Sequence, residues 1–233
     1  MNLRRIVFLT LISLAILNST SLCYAISPED ALENPGLLPQ LGEKSFLYTS
    51  YVFKYDKWLL AYSEYDEEVN GYGALLMRHN GTETIWSYLA AKTRGNIGVG
   101  LGIHKGTGSN WLMDLGWSYK NDILSASISL NDLSPINKGS TIDELHYKTG
   151  ASVNVSSNIA LGIDRKFSGT PSYTGHVTLR FSPNLKSMIS FAEDDSKWRT
   201  SSVEVWMTYK GVLLNAAHEV KNDYTRLGLG VTF

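Results

Sequence analysis

Residues 96–132 read NIGVGLGIHKGTGSNWLMDLGWSYKNDILSASISLND, and the period of this stretch decides the fold. In its first third Ile97, Val99, Leu101 and Ile103 alternate with Gly98, Gly100, Gly102 and His104. In the second, Trp111, Met113, Leu115, Trp117 and Tyr119 alternate with Leu112, Asp114, Gly116, Ser118 and Lys120. In the third, Leu124, Ala126, Ile128 and Leu130 alternate with Ser125, Ser127, Ser129 and Asn131. A period of two sends successive side chains to opposite faces of a strand. Each segment therefore has one apolar face and one face of glycine, serine and scattered charge. A half-buried strand of a soluble sandwich alternates too. These strands, however, run to ~10 residues, against the ~5–6 usual in soluble sheets, and their second face is small enough to line a lumen.

The same period continues on both sides of this stretch, from Ser45 to Phe233. Turn residues at Asp56, Asp66–Asn70, Asn80–Gly81, Arg94–Gly95, Thr107–Ser109, Asn121–Asp122, Asp132–Glu144, Ser156–Ser157, Gly169–Ser172, Pro183–Asn184, Asp194–Thr200, Gly211 and Asn222–Asp223 divide it into fourteen strands, with twelve as the lower count. The pattern predicts an all-β fold, an antiparallel transmembrane β-barrel over residues 45–233. Residues 26–44 form a short N-terminal helical plug segment, in which Ser27 caps the helix, Pro28 opens it, and Pro35 and Gly36 end it. An even strand count puts both barrel ends on the inner side of the membrane. The turns at Gly211, Pro183–Asn184, Ser156–Ser157 and Asn121–Asp122 are then inner and tight. Those at Asp194–Thr200, Gly169–Ser172, Asp132–Glu144 and Thr107–Ser109 are outward and longer, as in bacterial barrels, while Asn222–Asp223 is outward yet tight.

Composition agrees. Charged residues are 18% of the 233 positions, against roughly 25% in ordinary soluble domains. Thirteen Tyr and six Trp are available for membrane-interface girdles, and Trp58, Trp86, Trp111, Trp117, Trp198 and Trp206 are expected there. A net charge of −1 supplies no basic field for nucleic acid. Residues 1–25 read as a signal peptide: Arg4 and Arg5, the apolar IVFLTLISLAIL, and a small-residue site ending at Ala25. Cys23 is the only cysteine, so the mature chain has no disulfide, thiol nucleophile or zinc–thiolate site. The implied localisation is the bacterial outer membrane, with its lipid as the surrounding phase.

On these residues a resemblance follows. PEDALENPGLL (Pro28 to Leu38) resembles the segment that precedes the barrel in the PorV-like and FadL-like outer-membrane proteins. DLGWSYKNDILSASISLNDLS (Asp114 to Ser134) is similar to the PorV-type pattern of two strands about a tight turn. The final GVTF, within RLGLGVTF, resembles the signal by which the barrel-assembly machinery recognises its clients, through Leu229, Val231 and Phe233. The resemblance implies a non-enzymatic barrel. It would pass a hydrophobic small molecule or dock a secretion or envelope partner, with Asn34, Pro35, Gly36, Leu37 and Leu38 as plug or gate.

Chemistry-bearing patterns are sparse. His79, His104, His146, His176 and His218 form no H-E-x-x-H pair. The glycines of GVGLG lie on a strand, not before a helix, so they are not a dinucleotide fingerprint. The acidic clusters Asp66–Glu68 and Glu193–Asp195 read as solvated loops, and no cofactor or metal is expected. Asp114, Lys120, Lys148, Asp164, Arg180, Lys186, Glu204, Lys210 and Arg226 fall on the inner face. There, charges of both signs avoid the ~2–4 kcal/mol cost of facing lipid. Two alternatives remain. An outer-membrane lipid hydrolase or acyltransferase would depend on one histidine. A soluble secreted β-sandwich would dissolve without detergent.

Overall fold

The computed structural model describes residues 28–41, 45–107, 111–133, 146–168, 170–194 and 197–233. The signal-peptide expectation, residues 1–25, lies outside them. A six-residue helix α1 (Pro28–Glu33) and a 3-10 helix (Pro35–Leu41) precede fourteen strands. These are β1 (Phe46–Val52), β2 (Lys57–Asp66), β3 (Gly71–His79), β4 (Thr84–Arg94), β5 (Ile97–Gly106), β6 (Leu112–Lys120) and β7 (Leu124–Leu133). They continue with β8 (His146–Asn154), β9 (Ile159–Ser168), β10 (Thr170–Ser182), β11 (Leu185–Asp194), β12 (Lys197–Tyr209), β13 (Val212–Glu219) and β14 (Tyr224–Thr232). Each pairs antiparallel with its sequence neighbours, and β1 pairs with β14 from Phe46↔Thr232 to Val52↔Arg226, closing the barrel.

The turns follow from local chemistry. Asp56, Asn70, Gly81, Gly95, Lys210, Gly211 and Asp223 all hold positive φ, the backbone that tight hairpins demand and that Asn, Asp and Gly supply at least cost. Lys210 and Gly211, at φ 47° and 83°, form a two-residue reversal. Lys210 is thereby an exposed turn residue, not the inward-facing charge its alternation suggests.

We call proximal the end where β1 begins and β14 finishes, and distal the opposite end. Proximal connections span residues 67–70, 95–96, 121–123, 155–158, 183–184 and 210–211. Distal ones span 53–56, 80–83 and 220–223, and the other distal strand ends bracket intervals of the sequence at 107–111, 134–145, 169 and 195–196 that lie wholly or partly outside the described residues. The expected sorting of loops by end therefore rests on 107–111 and 134–145. Gly169–Ser172 and Asp194–Thr200 are shorter connections than expected, because Ser172 already lies in β10 and Trp198–Thr200 in β12. Polar residues there read as loop, yet the ladder continues through them to strands of 13 residues.

Alternation is preserved around the wall. Leu47, Leu60, Leu75, Val99, Leu101, Leu115, Leu161, Ile163, Leu227, Leu229 and Val231 point outward and are exposed. Such a continuous apolar belt suits a hydrocarbon phase. Outward aromatics rim it at both ends: Tyr51, Trp58, Trp86, Trp111 and Trp198 distally, and Tyr119, Phe181, Tyr209 and Phe233 proximally. Trp206 departs from the girdle. It is 5% exposed and faces the lumen, with the Lys186 ammonium 4.4 Å from its ring centroid, a cation–π pair.

Candidate functional site in the lumen

The interior is two-sided. Phe46, Tyr48, Leu59, Ala61, Tyr72, Ala74, Leu76, Leu89 and Ala91 of β1–β4 form an apolar cluster inside the barrel, and Ala31 and Leu38 of the N-terminal segment complete it. Opposite, β7–β11 present Ser125, Ser127, Asp164, His176, Arg180, Lys186 and Ser190. One half of the lumen is thus a small dry core and the other is polar.

The N-terminal segment lies on the inner wall between the two halves. The Asn34 amide donates to the carbonyls of Trp117 and Ile128, at 3.3 Å each, and its Oδ1 accepts from the Gly36 N–H at 3.0 Å. The Ser118 hydroxyl donates to the Gly36 carbonyl at 2.6 Å. Pro35 and Gly36 sit so near the wall that a Cβ on Gly100 would overlap the Pro35 carbonyl, and one on Gly116 would overlap Asn34 Oδ1 and the Gly36 nitrogen. A Cβ on Gly98 would meet the Gly36 carbonyl oxygen. The glycines of GVGLG and DLG are where the segment's backbone touches the strands. The expected set thus divides. Asn34, Pro35, Gly36 and Leu38 are buried against the wall, whereas Leu37 faces a cavity. Leu229 and Val231 lie outward on β14, with Phe233 just beyond it, its N–H donating to the Ser45 carbonyl at 3.0 Å.

A cavity lies on either side of the segment, one toward each end of the barrel. The proximal one, about 270 Å³, has Asp30, Leu37, Lys120, Lys148, Arg180 and Lys186 in its lining. The distal one, about 320 Å³, has Glu33, Arg78, His104, Asp132, His146 and Lys166. Glu33 marks the boundary, with Lys148 Nζ at 2.9 Å and Lys166 Nζ at 3.8 Å. Burial alone would raise the Glu33 carboxyl, but Lys148 and Lys166 outweigh it and hold the group below its usual range. On the β12–β14 wall Glu204 accepts from Arg226 and from the Asn215 amide, at 2.5 and 2.8 Å.

The histidines separate by face. His79 stacks on Trp58 outside and His218 lies near Asp223. His104, His146 and His176 line the lumen. A cluster that alternation alone does not reveal joins His104 to Asp114 and Asp132, both at 3.1 Å, and His146 to Asp132 at 3.0 Å. Its key is a bulge, where Asn131 and Asp132 oppose the single residue Asp114. By strict alternation from Leu124, Asp132 would face outward. With the bulge and a φ of 59° it faces inward.

No family model matches the chain, and no curated protein does. Solved structures do. Two mutants of the porin of Rhodopseudomonas blastica align over 82% of this chain and 99% of theirs, each with a TM-score of 0.50, at 9% and 10% identity. At such identity the likeness is one of fold, a closed antiparallel β-barrel.

Proposed function

We propose that the protein is a bacterial outer-membrane channel of narrow bore, non-enzymatic, through which small hydrophilic solutes pass along the β7–β11 side of the lumen. One observation carries the reading. The wall is apolar outside and closed, while two cavities lined by charged and hydroxyl side chains flank a segment that, with the apolar cluster of β1–β4, occupies the rest of the bore. Barrels of this size need side chains, a plug or water inside, and here all three have a place. Residues 28–41 act as the constriction, with Asn34, Pro35, Gly36 and Leu38 as its anchors and Leu37 at its free edge. The PorV/FadL-like resemblance would favour a hydrophobic cargo or a docked secretion partner. The charged linings of both cavities support a polar solute instead. Insertion through the barrel-assembly machinery, with Leu229, Val231 and Phe233 as the signal, belongs to the same reading.

Planar-bilayer conductance of the mature protein tests it. The full chain should give small, steady steps, and deletion of residues 28–41 should give steps several-fold larger. Silence from both proteins, after each shows heat-modifiable gel migration, overturns the channel.

A further inference from the structure

The cluster in the distal mouth has a geometry that wall packing does not require. His104 comes from β5, Asp114 from β6, Asp132 from β7 and His146 from β8. Four neighbouring strands thus each deliver a potential ligand to one place. One donor atom each from His104, Asp114 and Asp132 lie within 4.8 Å of one another. His146 Nδ1 is 3.0 Å from the second Asp132 oxygen. Bonds of ~2.0–2.2 Å to a tetrahedral ion keep ligand atoms ~3–4 Å apart, so the observed spacings need only a small contraction.

We propose that His104, Asp114 and Asp132, with His146 as fourth ligand, form a binding site for one divalent transition-metal ion. Three features support it. First, the bulge turns Asp132 away from lipid and sets its carboxylate beside that of Asp114. The His104 ring already bridges the two carboxylates, yet even a protonated imidazole leaves the trio one negative charge in excess, whereas a divalent ion bound to the neutral ring balances both carboxylates. Second, the inner ligand is held ready. Asp114 is 4% exposed, and its Oδ1 accepts the Asp132 N–H at 2.9 Å, leaving Oδ2 toward His104. Such outer hydrogen bonds orient metal-binding carboxylates. Third, the site is accessible. The Asp132 and His146 side chains are 43% and 42% exposed, and both line the distal cavity, so a hydrated ion can reach them. Mixed imidazole and carboxylate donors suit zinc, nickel or cobalt better than magnesium or calcium, which prefer all-oxygen shells. The site stands on side-chain geometry alone and does not depend on whether the lumen conducts.

The test is titration of Co²⁺ into mature protein, purified in detergent without a polyhistidine tag and stripped with chelator. The visible absorption of bound Co²⁺ reports ligand geometry, and calorimetry with Zn²⁺ gives stoichiometry. The expected result is one ion per chain, with affinity lowered about tenfold or more in Asp132→Asn and in His104→Ala. Heat-modifiable migration identifies variants that still form the barrel. Should the His104 variant fail to fold, His146→Ala decides, because that side chain is half exposed and its loss leaves the wall intact. Absence of saturable binding by the wild type overturns the proposal. So does unchanged affinity in a folded Asp132→Asn or His146→Ala variant.

Discussion

At the scale of single residues the lumen is held by a few contacts whose removal has a calculable sign. Asn34 closes three hydrogen bonds while 3% exposed. Asn34→Ala leaves the Trp117 and Ile128 carbonyls and the Gly36 N–H without it, and is expected to cost about 1–3 kcal/mol, read as a lower melting temperature of the detergent-solubilised barrel. Gly116→Leu acts from the other side. Its new side chain needs the volume of Asn34 and Gly36, so the segment should leave the wall and become cleavable by added protease, while the barrel still shows heat-modifiable migration. Glu204→Ala removes the carboxylate shared by Arg226 and Asn215, whose side chains point into the same wall. Breaking a buried ion pair from one side costs about 3–5 kcal/mol, so this change should destabilise more than any substitution in the exposed turns.

At the scale of elements, the segment before β1 is joined to the polar half of the lumen by Glu33. Its folded-state carboxyl is depressed by Lys148 and Lys166. The contribution is therefore present above the unfolded value of ~4.3. It is lost as pH falls through the lower folded value. The Glu33 side chain is 47% exposed, so solvent screens the pair and the effect is modest. Protease cleavage within residues 28–41 should accordingly rise below about pH 4 in the wild type and be raised and flat with pH in Glu33→Gln.

The elements also mark how far the sequence could be read. Alternation in residues 96–132 predicted the strands and even the small inner face, because glycine at every second position has a direct geometric meaning. Turns were legible wherever Asn, Asp or Gly carried positive φ. The bulge at Asn131–Asp132 was not, since it changes the parity of one residue without altering composition. The inward turn of Trp206 was not legible either. A tryptophan's chemistry fits an interface equally well, and only the neighbouring Lys186 gives it a partner inside. Ser172 and Thr200 read as loop in the sequence because polar residues beyond an apolar belt look alike whether or not the ladder continues through them.

At the scale of the whole molecule, closure rests on one ladder, between β1 and β14. Leu47 and Val231 face each other there on the outer surface. The mature chain is cysteine-free if cleaved after Ala25, so Leu47→Cys combined with Val231→Cys should give a quantitative crosslink on oxidation. The crosslinked band should migrate differently after boiling without reductant. A chain open at this seam would crosslink only partially or between molecules.

That seam has a consequence for how the molecule assembles. The dry half of the interior is drawn from residues 31–91, and the glycines that receive the segment lie at 98–116. These contacts close shorter loops than the seam does, the Asn34–Ile128 bond spanning 94 residues. The β1–β14 ladder instead joins residues 46–52 to 226–232, the longest loop closure in the chain, and contacts of that kind form slowly. The order of events is therefore constrained. Residues 28–41 are expected to seat against a half-built, open sheet before the last strand seals the cylinder over them. A chain whose segment is late should close around an empty bore.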